Sequence, residues 1–328
     1  DFFTEIQIEK RKALESGLYI DHEYRFNPRF NVRYGFRLST FSNLGGTEYR
    51  YFKNPNDFKP YADSTITTKY ADGEIYNTYV GVEPRASLSY NVATTTAIKA
   101  SYNRTFQYIQ QATNTASAFP TDQWFSANLN IKPQRADQVA VGLFKNFDIG
   151  LETSAEIYYK WMKNQIDYRD NASIAFNQNL DGELLLGKGW AYGAEFYVAK
   201  TEGKTSGFIS YTWAKTMRQI EGISGGNPYV DNFDRRHNMS IVLTQKFSKR
   251  VLATASFVLS SGQPLTTPVS KYFYQDEWQS NYGDVRNNYR IPVYHRADFG
   301  LTVKSKEKPD KNFKSNWNFS VYNLYNRE

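Results

Sequence analysis

Side chains able to do acid–base, nucleophilic or metal chemistry are few and scattered in this chain. The three histidines, His22, His237 and His295, lie far apart and form no HExxH-type pair. Cys is absent. A zinc centre or a disulfide framework therefore has no ligand set to draw on. Ser260-Ser261-Gly262 could present a nucleophile at a strand end, but no His and acid stand with it as a triad. Glu152 and Glu156 share a strand face two steps of alternation apart, which suits polar lining better than a general acid/base pair. Neither a P-loop nor a dinucleotide-binding glycine fingerprint occurs. The expectation is no catalytic residue, no metal, no cofactor and no enzyme.

Binding is a different matter. Tyr 26, Phe 23 and Trp 6 make up 17% of the chain. Tyr108, Trp124 and Phe125 fall in one long polar connection, and Tyr229, Tyr274, Trp278 and Tyr282 in later ones. Aromatic faces stack on sugars, peptides or chelates, and a few such anchors dominate binding energy. The competing reading is loop-against-loop packing or an interfacial belt. Asp231, Asp234, Arg235 and Arg236, with His237, form a charged run at the start of a strand, while Arg296 and Asp298 share one strand face. A structural rim or lumen network explains both groups more simply than ligand contact.

These residues must be positioned by strands. Phe30, Val32, Tyr34, Phe36 and Leu38 alternate with Asn31, Arg33, Gly35 and Arg37. Leu151, Thr153, Ala155, Ile157, Tyr159 and Trp161 alternate with Glu152, Ser154, Glu156, Tyr158 and Lys160. Near the end, Ala297, Phe299, Leu301 and Val303 alternate with Asp298, Gly300, Thr302 and Lys304. A period of two gives a one-faced strand but no stripe on a helix. About a dozen such runs of roughly 10–14 residues fit tilted strands that cross a bilayer. Short links at 26–29, 91–94, 146–149, 201–204 and 247–250 take turns with long ones at 42–83, 106–136, 164–187, 219–235 and 262–289. Short turns on one side and long loops on the other are the layout of outer-membrane barrels. The first strand, near Gly17 to Arg25, is then expected to run from outside to periplasm. No fixed-length repeat argues for a propeller or solenoid.

Bulk properties agree. Mean hydropathy is -0.65 and no run nears the ~20 apolar residues of a membrane helix, yet a barrel strand averages out as polar. The net charge of +7 is spread singly along the chain, which argues against nucleic acid as a partner. Trp161, Trp213 and Trp317 suit lipid-interface anchors. Gly187, Gly189 and Gly193 thin the wall at a bend or close approach. The chain opens at Asp1-Phe2-Phe3-Thr4 and stops at Glu328, which reads as an internal fragment.

Several segments resemble the barrel of TonB-dependent receptors, above all the branch that carries a carboxypeptidase-regulatory-like domain before its plug. They are ESGLYIDHEYRF (15–26), EPRASLSY (83–90), IKASYNRTFQYIQ (98–110), IKPQRADQVAVG (131–142), GKGWAYGAEFY (187–197), SYTWAK (210–215), FDRRH (233–237), YRIPVYHRADFGL (289–301) and WNFSVYNLYNR (317–327). Each is loose alone, but their order and spacing are specific. The resemblance implies that residues 1–328 are one receptor β-barrel domain. This would be the later, partial portion of a 22-stranded antiparallel transmembrane barrel in the bacterial outer membrane, lacking plug and final strands. It implies import of a scarce solute (chelate, oligosaccharide or peptide), with outer-membrane lipids, a TonB-type energy transducer and, in some relatives, a surface lipoprotein as partners. The alternative is a structural barrel subunit of a larger outer-membrane assembly or secretion complex. The acidic-glycine loop of glycan importers is not recognisable, so no glycan is assigned.

Overall fold

The structure, a computed structural model, describes residues 10–46, 48–52, 65–112, 123–170, 172, 180–306 and 314–327. Asp1 to Thr4 and Glu328, on which the expectation of a fragment rests, lie outside the described residues. The long strands are β1 (Lys12–Asn27), β2 (Phe30–Leu44), β3 (Ile75–Ala93), β4 (Thr96–Gln107), β5 (Gln134–Phe147), β6 (Leu151–Tyr168), β7 (Leu184–Lys200), β8 (Thr205–Gln219), β9 (His237–Lys246), β10 (Val251–Ser260), β11 (Tyr294–Lys304) and β12 (Asn316–Val321). They pair antiparallel in chain order within one sheet, and Tyr229–Val230 adds a short rung to β8. This is the all-β meander that the alternation predicts.

Register keeps the two faces apart. Outward Phe30, Val32, Tyr34, Phe36 and Leu38 on β2 stand opposite Tyr90, Leu88, Ala86, Pro84 and Val82 on β3. Their inward neighbours carry charge: Arg33 pairs with Asp21, and Arg37 reaches Glu15 and Glu83. The inner face also holds a polar recess of about 450 Å³ lined by residues including Glu23, Arg33, Lys99, Ser101 and Glu156. On the outer face Ile157 is 63% exposed and Val141 48%. A continuous apolar surface of this kind is costly in water and natural in lipid.

The outer face also has defined height. On β7, Lys188 and Lys200 bracket Trp190, Tyr192, Ala194, Phe196 and Val198, with no outward charge between them. Twelve steps at ~3.3 Å, tilted by ~40°, span roughly 30 Å, which matches a barrel's apolar band with its aromatic girdles. Among the described residues no helix is long and apolar enough to cross a membrane.

Local chemistry explains the tight turns. Asn27 Oδ1 accepts hydrogen bonds from the backbone N–H of Arg29 and Phe30, each 2.9 Å, and so closes the β1–β2 turn from its own side chain. Gly150 adopts φ 68° in the β5–β6 turn, a conformation that glycine reaches without steric cost. At the opposite end the strands run further than the alternation indicates. β3 begins at Ile75 rather than near Glu83, β6 continues to Tyr168 and β7 starts at Leu184. There the period-two signal fades because folded loops bury one face and polar contacts reach the other. Gln165, Ile166, Asp167 and Tyr168 are all buried, as are Leu184 and Leu185, although consecutive residues in a strand face opposite ways.

Placing a cation in the mid-band should destabilise the fold selectively. Val141→Arg is expected to cost about 2–4 kcal/mol of folding free energy in lipid vesicles. Ser101→Arg, on the inner face, should cost much less. Urea-dependent refolding into vesicles measures both, and equal effects would refute the facing assigned here.

Candidate functional site

The long connections fold into a compact cap at one end of the sheet. The connection after β4 carries a small hairpin, Ile109–Ala112 with Gln123–Ser126. The connection after β10 carries another, Ser270–Tyr274 with Glu277–Asn281. Apolar clusters sit among these loops and the strand ends. One joins Ala112, Phe125, Ile131, Ile166, Tyr168, Leu180 and Leu184. A second joins Leu185, Ile220, Ile223 and Tyr229, and a third Phe41, Tyr108 and Ala127. Gly187 permits the second, since a Cβ there would lie 2.4 Å from the Gln219 carbonyl oxygen and 2.6 Å from Ile220.

Charged hubs lock the cap. Asp167, at the end of β6, accepts the Tyr229 hydroxyl at 2.7 Å and Arg286 Nη1 at 2.9 Å. Arg286 also holds Asp170 at 2.7 Å, and its backbone N–H donates to Ser224 Oγ. Arg218 on β8 pairs with Asp231 and donates to the Ile166 carbonyl. This one hub therefore ties the connections that follow β6, β8 and β10. Asp234 forms a second hub with Arg290 and Arg236, and accepts the Thr216 backbone N–H at 2.7 Å. Asp181 forms a third with Arg11, Asn128 and Asn130, and Arg169 pairs with Glu183 beside it.

Burial, and then the neighbouring Asp167 carboxylate, push the Tyr229 hydroxyl well above the ordinary tyrosine range, so it stays protonated and donates. For Arg286 burial works against the charged form, but Asp167 and Asp170 outweigh it and raise its pKa. Burial, and then Arg290, lower that of Arg235.

The aromatic candidates separate into two groups. Tyr108, Phe125 and Tyr229 are buried within the cap: Tyr108 stacks on Phe41 and bonds to Ser39, Phe125 meets Tyr168 edge-on, and Tyr229 serves Asp167. Trp124, Trp278 and Tyr282 are exposed, at 67, 65 and 47%. Trp278 packs against Phe273 and carries Lys271 over its ring, with Tyr274 also exposed on that hairpin. In the charged set, Asp231, Asp234 and Arg236 join the hubs, and Arg235 donates to the Ser261 carbonyl. Arg296 and Asp298 pair with each other on β11, where Arg296 also lies over Tyr322 and Asp298 accepts the Asn323 N–H.

Asp167, Arg218, Arg286 and Arg290 were not singled out from sequence. Asp167 could have been, as a carboxylate where alternation gives way to a buried strand end. Arg286 gives no such signal, because it lies in a long loop far from its partners. Ser261 Oγ accepts the His237 backbone N–H, while the His237 ring bonds to the Tyr211 hydroxyl. His295 bonds to the Tyr325 hydroxyl. Among the described residues no cluster of three or more His, Asp or Glu could hold a metal.

A wall with one polar and one apolar face, short turns at one end and a folded cap of long loops at the other defines an outer-membrane-type β-barrel. The chain belongs to the TonB dependent receptor-like β-barrel family, whose model matches residues 6–324. Among solved structures it is similar to the siderophore receptor PiuA from Acinetobacter baumannii, at 15% identity and TM-score 0.62, covering 96% of this chain and 39% of that one. The ferric-catecholate import receptor Fiu from E. coli K12 gives 15% identity and TM-score 0.59, covering 96% and 41%. The ferripyoverdine receptor of the Pseudomonas aeruginosa outer membrane gives 13% and 0.59, covering 97% and 35%. The chain thus spans about two-fifths of the length of these receptors. No curated protein matches the sequence.

Two predictions follow from the Asp167 hub. Arg286→Met leaves a buried carboxylate without its closest cation, a loss that costs about 3–5 kcal/mol where the charge cannot be resolvated. Hydrogen exchange should show loosened segments 220–236 and 261–293 with unchanged protection of the strands. The second concerns alkaline pH. A hydroxyl whose folded-state pKa is raised contributes stability that is complete below the unfolded value, ~10, and is lost as pH rises through the folded one. Loop protection should therefore persist to about pH 10 and decline above it. Tyr229→Phe should be weaker at neutral pH and flatter on the alkaline side, and parallel profiles would count against this role.

Proposed function

We propose that this chain forms part of the wall and the ligand-capturing mouth of an outer-membrane TonB-dependent importer. Each long strand crosses the bilayer, the short turns face the periplasm and the cap faces outward. β1 and β12 pair on one side only within the described sheet, and unpaired backbone edges are prohibitive in lipid. Further strands that close the ring, a plug that seals it and a TonB-type transducer that acts on the plug belong to the same proposal.

The observation that carries the import reading is the build of the cap. Buried ion pairs tie its loops at Arg286 and Arg290, and Trp124, Trp278 and Tyr282 stand exposed around that frame. A rigid frame with exposed rings binds a scarce bulky solute without a large ordering cost. The solute class is a chelate, an oligosaccharide or a peptide, each able to present a face to an aromatic ring. The names of the receptors above, which include ferric-catecholate and ferripyoverdine, make a metal chelate the first to test. Tyr108, Phe125 and Tyr229 then support the frame, as do the pairs made by Asp231, Asp234, Arg235 and Arg236. The Arg296–Asp298 pair acts similarly at the β11 edge.

Uptake by cells expressing the intact protein tests this, with a ferric catecholate, a maltooligosaccharide and an oligopeptide compared side by side. Uptake of one class should require the TonB-type transducer. Trp124→Ala with Trp278→Ala should weaken binding of that solute by about tenfold or more. If none is taken up and the protein instead co-purifies with other barrel subunits, a structural role replaces import.

A further inference from the structure

The connection after β10 has an anchored root and a separate tip. At the root, Pro264–Leu265 pair with Tyr289–Arg290, Arg286 holds Asp167 and Asp170, and Asn287 donates to the Val230 carbonyl at 2.6 Å. The tip is the hairpin of Ser270–Tyr274 with Glu277–Asn281. Among the described residues, the hydrogen bonds, ion pairs and ring contacts of residues 269–285 all stay within that segment. A two-stranded ladder standing alone is marginal in water, and a third strand completes it.

The open edges are defined by the turn. Gln275 and Asp276 both take positive φ, 50° and 62°, as a two-residue hairpin turn requires. Tyr274 and Glu277 then form the closing hydrogen-bonded pair, so Lys271 and Phe273 on one strand, and Trp278 and Ser280 on the other, turn their backbone N–H and C=O outward. Neither strand pairs with any other in the described fold. Only an extended chain matches such an edge group for group.

Side chains indicate the charge of that chain. Tyr272 and Tyr274 stand on one face of the hairpin, Phe273 and Trp278 on the other, all more than half exposed. Asp276, Glu277 and Asp284 lie on the tip without an ion pair among the described residues, against one cation, Lys271, which sits over the Trp278 ring. Carboxylates beside open aromatic faces complement lysine and arginine side chains. We propose that this hairpin captures an extended basic peptide by strand addition. Main-chain hydrogen bonds to the edge hold it, and the rings and carboxylates select its alternate side chains. The proposal singles out the peptide among the solute classes named above and rests on the outward-facing cap of that reading.

The intact protein carrying this chain, in detergent micelles, is titrated with a fluorescent alternating Lys-Val octapeptide and followed by anisotropy. An alternating Glu-Val octapeptide, and the Lys-Val peptide with every backbone amide N-methylated, should each bind at least about tenfold more weakly. Lys271→Pro with Ser280→Pro removes outward N–H groups at positions where an edge strand tolerates proline, and should produce a similar loss. Lys271→Thr with Ser280→Thr should retain binding. Asp276→Asn with Glu277→Gln and Asp284→Asn should weaken it by about fivefold. Equal binding of the N-methylated peptide, a readout that leaves the protein unaltered, overturns strand addition. Equal binding of the acidic peptide overturns the charge assignment. Concentration-dependent self-association that the proline variant abolishes, with no peptide binding, gives the edges to a second copy and overturns the proposal. Peptide binding without transducer-dependent uptake overturns import and leaves this site standing, whereas uptake of a chelate or oligosaccharide with no peptide binding does the reverse.

Discussion

A backbone N–H or C=O held away from water must find a partner, and this constraint sets the form of the chain. In lipid, every strand N–H and C=O needs a neighbouring strand. The consecutive antiparallel ladders from β1 to β12 provide those partners without a crossover. Side chains then have two environments only. Phe36 and Ile157 turn one way, Arg33 and Glu156 the other, and a slip of one residue would reverse them all. The inner ion pairs, such as Arg33–Asp21, complete an interior that can remain wet.

The cap obeys a different rule. Its loops have no ladder to hold them, so buried charge does that work. Asp167 and Asp234 each gather arginines from distant parts of the chain and accept backbone or hydroxyl donors as well. A buried ion pair is weak evidence of net stability, but removing one partner leaves an uncompensated buried charge, so each pair holds its loops together once formed. Trp124, next to the buried Phe125, and Trp278, on an outlying hairpin, leave their rings exposed around this frame. The apolar clusters around Phe125 and Ile220 fill the space beneath.

Wall and cap meet at an outward cation row, where neither rule is satisfied internally. Arg135, Lys163 and Lys188 lie on the outer side of the rim, while on the inner side Arg218 is neutralised by Asp231. The same rim thus looks outward with excess positive charge and inward with balanced charge.

The wall is written in local sequence. Period-two alternation is a local property, so the existence and facing of the strands, the turn at Asn27 and the rhythm of short and long links are legible in it, but not the extra length of β3, β6 and β7 at the cap end. The charged run at Asp231 to Arg236 is visible in the sequence for the same reason, since part of its pairing, as in Asp234 with Arg236, is local. Which loop aromatics are buried and which are exposed depends on the folded chain, because Tyr108 and Trp124 look alike until Phe41 and Ser39 are brought beside the first. It alone revealed Asp167 and Arg286 as partners, 119 residues apart. It alone aligned Arg135, Lys163 and Lys188 in one row, because register between strands is fixed by long-range pairing and leaves no mark on any single stretch of sequence.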